Sequence, residues 1–329
     1  MPEVADDDLQ RGVRDALAGI GAPGAASATL TEIPGGASRQ TWRVDAGQER
    51  YVLRRDPPGA ESLVPQAGEF RLIELARDAG VPVAEPLLLE PEGGRFGTAG
   101  MLVGFVEGES VGPRVLRRDE LESARRSLPA QLGAALAGIH SIPVGPAGLP
   151  LPGGDPVLAQ IEHWEAELSR IGEPLPVVEL GLRWLRLNPP PPAQPGVVHG
   201  DFRLGNLIVD EGGLAAVIDW ELAHVGDPAE DLGWLCIRSW RFGNDDRPVA
   251  GVGSREEMLD AYEAAGGARP DPDRLRFWEV FGNLKWAAIC ARQANDHMTG
   301  LRRSHELASL GRRICEPEWD MLALIGEAA

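Results

Sequence analysis

Val197-Val198-His199-Gly200-Asp201-Phe202-Arg203-Leu204-Gly205-Asn206-Leu207-Ile208-Val209-Asp210 is the stretch on which the fold turns. It sets His, Asp and Asn in the spacing H-x-D-x-x-x-x-N, framed by apolar, strand-like runs. Eighteen residues beyond Asp201 lies Asp219, in Val217-Ile218-Asp219-Trp220. The segments 207–210 and 215–219 read as two short strands joined by the Gly212-Gly213 turn. A five-residue loop thus returns Asn206 to the neighbourhood of Asp201, and the hairpin brings Asp219 back beside it.

These residue types at this spacing suit phosphoryl transfer to an alcohol. A hydroxyl attacking a γ-phosphate needs orientation and an acceptor for its proton, and the Asp201 carboxylate offers both. Hard divalent cations offset the phosphate charges, and Mg²⁺ prefers oxygen ligands. Asn206 supplies an amide oxygen and Asp219 a carboxylate. A catalytic loop followed by a metal-binding Asp at a strand end is the arrangement of kinases. Either Asp201 or Asn206 alone could simply shape a turn; the joint pattern in its strand context favours chemistry. His199 reads as a clamp that hydrogen-bonds the backbone near Asp219. A metal-hydrolase site built from His199, Asp201 and Asp219 would lack the further histidines such sites use.

Outward from this segment, the first 110 residues read as β-rich. A leading stretch has Leu9, Val13, Leu17 and Ile20 at helical spacing, and strand-like runs follow at 28–33, 40–45 and 49–55. An amphipathic helix over 62–78 ends at Gly80. Two further strands follow Pro82 and Pro86, one of them 101–106, giving five strands and an inserted helix. The stretch 107–118 suits a connector. Beyond it the pattern is mainly helical, with helices at 120–142 and 157–171, a stiff proline run at 189–192 and helical sequence from Pro228 onward.

The chain has 329 residues, enough for about two structural units, and its 43% hydrophobic content is that of a globular protein. No apolar run approaches the roughly 20 residues of a membrane helix, and the acidic first ten residues do not read as a signal peptide. Cys236, Cys290 and Cys315 are far apart and odd in number, which predicts reduced thiols in a cytoplasmic protein. A net charge of -18 argues against a nucleic-acid partner; it speaks first to solubility and secondarily to steering of cationic substrates. Arginine almost wholly replaces lysine, and Lys285 is the only lysine.

The run from His199 to Asp210, with Val217-Ile218-Asp219-Trp220 and Gly226-Asp227-Pro228-Ala229-Glu230-Asp231-Leu232, resembles the aminoglycoside phosphotransferase and choline kinase superfamily. Within it, the branch related to the kinase domain of vertebrate acyl-CoA dehydrogenase fusion proteins is the most similar. The resemblance covers nearly the whole chain from Leu30. It implies an α+β, bilobal protein-kinase-like fold, with a small β-rich nucleotide-binding lobe at 1–106 and a larger helical lobe at 107–329. ATP and Mg²⁺ would lie between the lobes and a small hydroxyl compound in the helical one.

The same resemblance places Tyr51-Val52-Leu53-Arg54 where such kinases carry V-A-I-K. Val52 would cover the adenine and Arg54 would reach the α- and β-phosphates. Family members usually carry Lys there, and an Arg fork is longer and planar. Glu69 becomes the ion-pair partner of Arg54. In the glycine-containing loop 35–41, Ser38 would donate to a phosphate oxygen. Gly104 to Val106 would form the hinge, its backbone pairing the adenine edge. Asp227 and Asp231 read as structural groups at a helix start. Trp278, Phe281, Lys285 and Arg292 recur at helical spacing as core, with Lys285 a substrate-contact candidate because this region can wall the acceptor pocket. The implied activity is ATP- and Mg²⁺-dependent phosphorylation of a small-molecule hydroxyl, hydroxyacyl-type metabolites included. An aminoglycoside-type antibiotic kinase and a nucleotide-binding pseudokinase are the alternatives.

Overall fold

The computed structural model describes residues 7–33, 39–59, 64–172 and 174–326. Helix α1 (Asp7–Gly19) buries Leu9, Val13, Ala16 and Leu17 on one face. That face meets Trp42, Val44, Leu53 and Leu102 of a five-stranded antiparallel sheet. Its strands are β1 (Thr29–Glu32), β2 (Gln40–Ala46), β3 (Glu49–Arg55), β4 (Pro86–Glu90) and β5 (Gly100–Gly104), in the order β1-β2-β3-β5-β4. Strand alternation then decides what each face does. Leu53 turns toward α1, whereas Val52, opposite Val103, packs with the cluster on the other face.

On that second face lies α2 (Gln66–Asp78), inserted between β3 and β4. It buries Glu69, Leu72, Ile73 and Ala76 and gives way to Gly80 at φ 79°, a left-handed conformation that glycine adopts without strain. Strand β5 stops at Gly104, short of the expected 106: the Gly104 N–H goes to the Glu85 carbonyl (2.8 Å) and that of Phe105 to Arg50 (3.2 Å).

The larger part is helical: α3 (Gly112–Arg117), α4 (Glu122–His140), α5 (Val144–Ala147), α6 (Pro156–Ile171), α7 (Pro176–Leu187), then after the small strands α8 (Ala229–Cys236), α9 (Arg255–Ala264), α10 (Pro272–Met298), α11 (His305–Arg313) and α12 (Cys315–Gly326). The small strands are β6 (Gly196–Val198), β7 (Leu207–Asp210), β8 (Gly213–Val217) and β9 (His224–Gly226), paired β6 with β9 and β7 with β8. Helix α7 and the β6–β9 pair go beyond what the pattern predicted; strands of three residues are too short to show a period. One core cluster runs from Leu72, Met101 and Val103 through Leu128 and Leu132 to Val197, Phe202 and Trp220. A second packs α6, α7, α8 and α12 around α10. The α+β class read from the sequence stands. Among the described residues no helix is long and apolar enough to cross a membrane.

Candidate active site

The segment between β6 and β7 is wound by local rules. Gly200 sits at φ 79°, and a Cβ there would lie 2.3 Å from the Leu222 carbonyl oxygen, so only glycine fits. The Gly200 and His199 amides both donate to Asp231, at 2.9 and 2.7 Å. Asp231 also meets His140 Nε2 at 3.2 Å. Burial alone would raise the Asp231 carboxyl, but these donors outweigh it and hold it below the ordinary carboxylate value. Asp231 therefore clamps the loop from below and does not cap its own helix. Asp227 serves the helix start instead, accepting from Ala229 N (3.0 Å), Trp278 Nε1 (2.8 Å) and Arg274 Nε (2.9 Å).

His199 is fully buried. Burial lowers its pKa below the ordinary histidine value. Its Nδ1 accepts from the Asp201 amide and its Nε2 meets the Ile218 carbonyl, both at 3.2 Å. Both ring nitrogens are thus spent on backbone, one of them next to Asp219. This is a clamp, and no metal ligand.

Asp201 stands at the mouth of the loop. Its Oδ1 accepts from Arg203 Nε and from Trp234 Nε1, each at 3.0 Å, and its Oδ2 accepts from Asn206 Nδ2 at 2.6 Å. Asn206 Nδ2 also bonds the Asp201 carbonyl at 3.0 Å. With the amide nitrogen so engaged, the Asn206 oxygen faces away from Asp201 and has no protein donor among the described residues. Strand β8 ends at Val217, so Asp219 lies two residues past the strand and not within it. Its φ of 69° is left-handed, a conformation that Asp tolerates better than most residues.

Across from this loop, Arg54 reaches from β3 to two carboxylates. It pairs with Glu69 through Nη1 and with Asp219 Oδ1 through Nη2, the latter at 2.8 Å. Glu69 is completely buried, and it also accepts from the Trp220 amide at 3.4 Å. A second guanidinium shares it. Arg39 pairs with the other Glu69 oxygen, lies 3.3 Å from Asp56 and donates to the Val64 carbonyl at 2.6 Å. Burial, then the neighbouring charge of Arg54, lowers the Arg39 pKa, with Asp56 working the other way. Two cations around one buried carboxylate offset its desolvation. Sequence reasoning missed Arg39, which no local signal distinguishes from the many other arginines.

Asp201 and Asn206 thus form one hydrogen-bonded pair and Arg54, Glu69 and Asp219 a second group, and the backbone joins the two, the Ile218 amide donating to the Asn206 carbonyl at 3.0 Å. Val52 is half-buried on the same face of β3 as Arg54. Gly104 and Val106 border it at the end of β5, but the Gly104 N–H is committed to Glu85. Ser38 lies outside the described residues. Lys285 is a correction: it is 2% exposed and bonds Gly200 O and Glu230, which leaves it no face toward a substrate. Arg238 and Ser239 of the 3₁₀ turn Arg238–Trp240 line a cavity of about 510 Å³ with Phe242, Asp245, Trp319 and Asp320, and no residue of the catalytic loop lines it. The same 3₁₀ turn holds Trp240, over whose ring the Arg203 guanidinium lies at 4.9 Å.

An Arg of the sheet paired with a Glu of α2, set against an H-x-D-x-x-x-x-N loop and its following Asp, defines a kinase-like fold. The chain belongs to the phosphotransferase enzyme (APH) family, whose model matches residues 29–278. It is 29% identical over 321 residues to acyl-CoA dehydrogenase family member 10 of Mus musculus, with 88% of this chain aligned. The match spans only 29% of the mouse protein's length. The fold is shared with a Ralstonia eutropha protein provisionally named an aminoglycoside phosphotransferase (TM-score 0.73, 23% identity, 97% of this chain and 98% of that one). It is also shared with a spectinomycin phosphotransferase crystallised with ADP and spectinomycin (TM-score 0.60, 15% identity, 89% and 93% coverage).

Proposed function

We propose that the chain transfers the γ-phosphoryl group of ATP to a hydroxyl of a small molecule, with the nucleotide held between a lobe of residues 1–106 and a lobe of residues 107–329. The observation that carries this reading is the pairing of Asp201 with Asn206 beside Asp219, with Arg54 aimed at the same place. Asp201 orients the acceptor hydroxyl and takes its proton. Val52 covers the adenine, Ser38 donates to phosphate, and the hinge 104–106 pairs the base edge, with Val106 supplying the amide that Gly104 cannot. The donor set fits Mg²⁺: an amide oxygen at Asn206 and a carboxylate at Asp219, with room for phosphate and water oxygens. The chemistry that bound Mg²⁺ supplies there is neutralisation of phosphate charge. Rate would come mainly from positioning and electrostatics.

For the acceptor, the kinship with an acyl-CoA dehydrogenase family member favours a hydroxyacyl-type compound, its body lying in the cavity lined by Arg238, Phe242 and Trp319. A cavity of about 510 Å³ is of the size that small-molecule ligands fill. An aminoglycoside-type acceptor is the second reading, favoured by the net charge of -18. A screen of hydroxylated acyl-CoAs, aminoglycosides, macrolides and amino alcohols, read as ADP release, tests both. Turnover with none of them, in a chain that binds ATP, would turn the reading toward a pseudokinase.

Arg54 gives a separate test. Its ion pair with Asp219 supports its place beside the metal that Asp219 would hold, so Arg54→Ala is expected to weaken ATP binding, while Arg54→Lys, still cationic but without the fork, retains measurable activity. Isothermal titration of both variants measures this. Equal ATP affinity in the wild type and Arg54→Ala would remove Arg54 from the site.

A further inference from the structure

The Asp201 carboxylate has two lone-pair sites on each oxygen. Both on Oδ1 are taken, by Arg203 Nε and Trp234 Nε1, whereas Oδ2 accepts only from Asn206. Among the described residues, one acceptor site, on Oδ2, is left for a substrate hydroxyl. Arg203 and Asn206 belong to the loop itself. Trp234 comes from α8, 33 residues away, and its side chain is wholly buried.

A buried indole N–H usually finds a partner, but in this chain that is not automatic. Those of Trp42, Trp164, Trp220, Trp240 and Trp286 have none among the described residues. The indole of Trp234 is turned onto the one carboxylate of the loop that faces outward. Over its ring, 4.9 Å from the centroid, sits the Lys285 ammonium. Lys285 Nζ donates to the Gly200 carbonyl at 2.5 Å and to Glu230 Oε1 at 3.1 Å. The other Glu230 oxygen meets His224 Nε2 at 3.0 Å. The Gly200 carbonyl belongs to the peptide that carries the Asp201 nitrogen. Lys285 therefore bears on Asp201 twice, through the backbone on one side and through the indole on the other.

We propose that Trp234 and Lys285 are positioning residues for the base: Trp234 holds Oδ1 and Lys285 holds both the indole and the preceding peptide, so that only Oδ2 is presented to the acceptor. This rests on the reading of Asp201 as the base. It assigns work to two residues outside the catalytic motif, one of which the sequence suggested as a substrate contact.

Trp234→Phe keeps the ring and removes the N–H. With ADP release from MgATP measured with water as acceptor, kcat is expected to fall about 10-fold, as for loss of one hydrogen bond to a charged group. The KM for ATP should stay within about twofold, since the indole N–H touches Asp201 and none of Val52, Arg54 and Glu69. In an Asp201→Asn background the same substitution should cost nothing further, because its effect runs through that carboxylate. A structural role would instead subtract the same factor in both backgrounds. Independently of turnover, the Trp234 indole N–H resonance, assigned by its loss in Trp234→Phe, should shift in Asp201→Ala. Lys285→Arg should retain more turnover than Lys285→Met. An unchanged kcat in Trp234→Phe while Asp201→Asn is impaired, or an indole resonance indifferent to Asp201→Ala, would overturn the inference and leave the base in place. Full activity of Asp201→Asn would overturn the reading of the base and the inference together.

Discussion

Asp201→Asn is expected to lower the turnover number by roughly 10²- to 10⁴-fold, the usual contribution of a general base, or about 3–5 kcal/mol at 1.36 kcal/mol per decade. The substitution keeps the size of the side chain and one acceptor oxygen but removes the capacity to take a proton. The surroundings make it harsher than its size suggests. Every polar neighbour of the carboxylate is a donor: Arg203 and Trp234 on one oxygen and Asn206 on the other. Whichever way an amide turned, its own NH₂ would face one of them. ATP affinity should change much less, because the side proposed to hold the nucleotide is built from β3 and α2. Steady-state phosphoryl transfer beside nucleotide binding decides the matter. A loss below fivefold, with chemistry limiting the wild-type rate, would sink the assignment.

Asp219→Ala should abolish MgATP turnover, a loss of about 10³-fold or more if charge neutralisation contributes several kcal/mol. Asp219 is partly exposed and packs little, so the fold should survive. One complication comes from its left-handed backbone, which costs alanine about 1–2 kcal/mol. Asp219→Asn separates the two effects, since Asn tolerates that conformation but carries no charge. Both variants should lose turnover, and only the alanine variant should melt appreciably lower. Near-wild-type turnover of Asp219→Asn across a Mg²⁺ titration would show that Asp219 holds no metal.

The loop and hairpin of this site were legible because they are local. Asp201 and Asn206 meet within one turn of chain, and β7 and β8 return Asp219 thirteen residues further on, so spacing alone carries the geometry. The Arg54–Glu69 pair needed a family resemblance, because nothing in a strand and a distant helix announces a shared ion pair. Where the partner lay on an unrelated element, sequence gave no purchase. Arg39 meets Glu69 across the inserted segment, Trp234 meets Asp201 from α8, and Lys285 meets Gly200 from α10. Each had an adequate plain explanation in the sequence, as a loop arginine, a core aromatic and a helix-face lysine. The expectation that Lys285 contacts substrate failed on burial, which periodicity does not resolve in a stretch such as 277–291 of α10, where nearly every residue is buried.

The seclusion of Lys285 also makes it a reporter. It carries the only ε-amino group in the chain and is 2% exposed, walled in by Glu230 and Trp234. An amine-reactive acylating reagent can reach that nitrogen only when α10 and the loop part company. Acylation at Lys285, counted by the mass of the labelled peptide, would then clock local opening at the catalytic loop. Ligands that hold the loop closed should slow the clock, with no knowledge of the acceptor required.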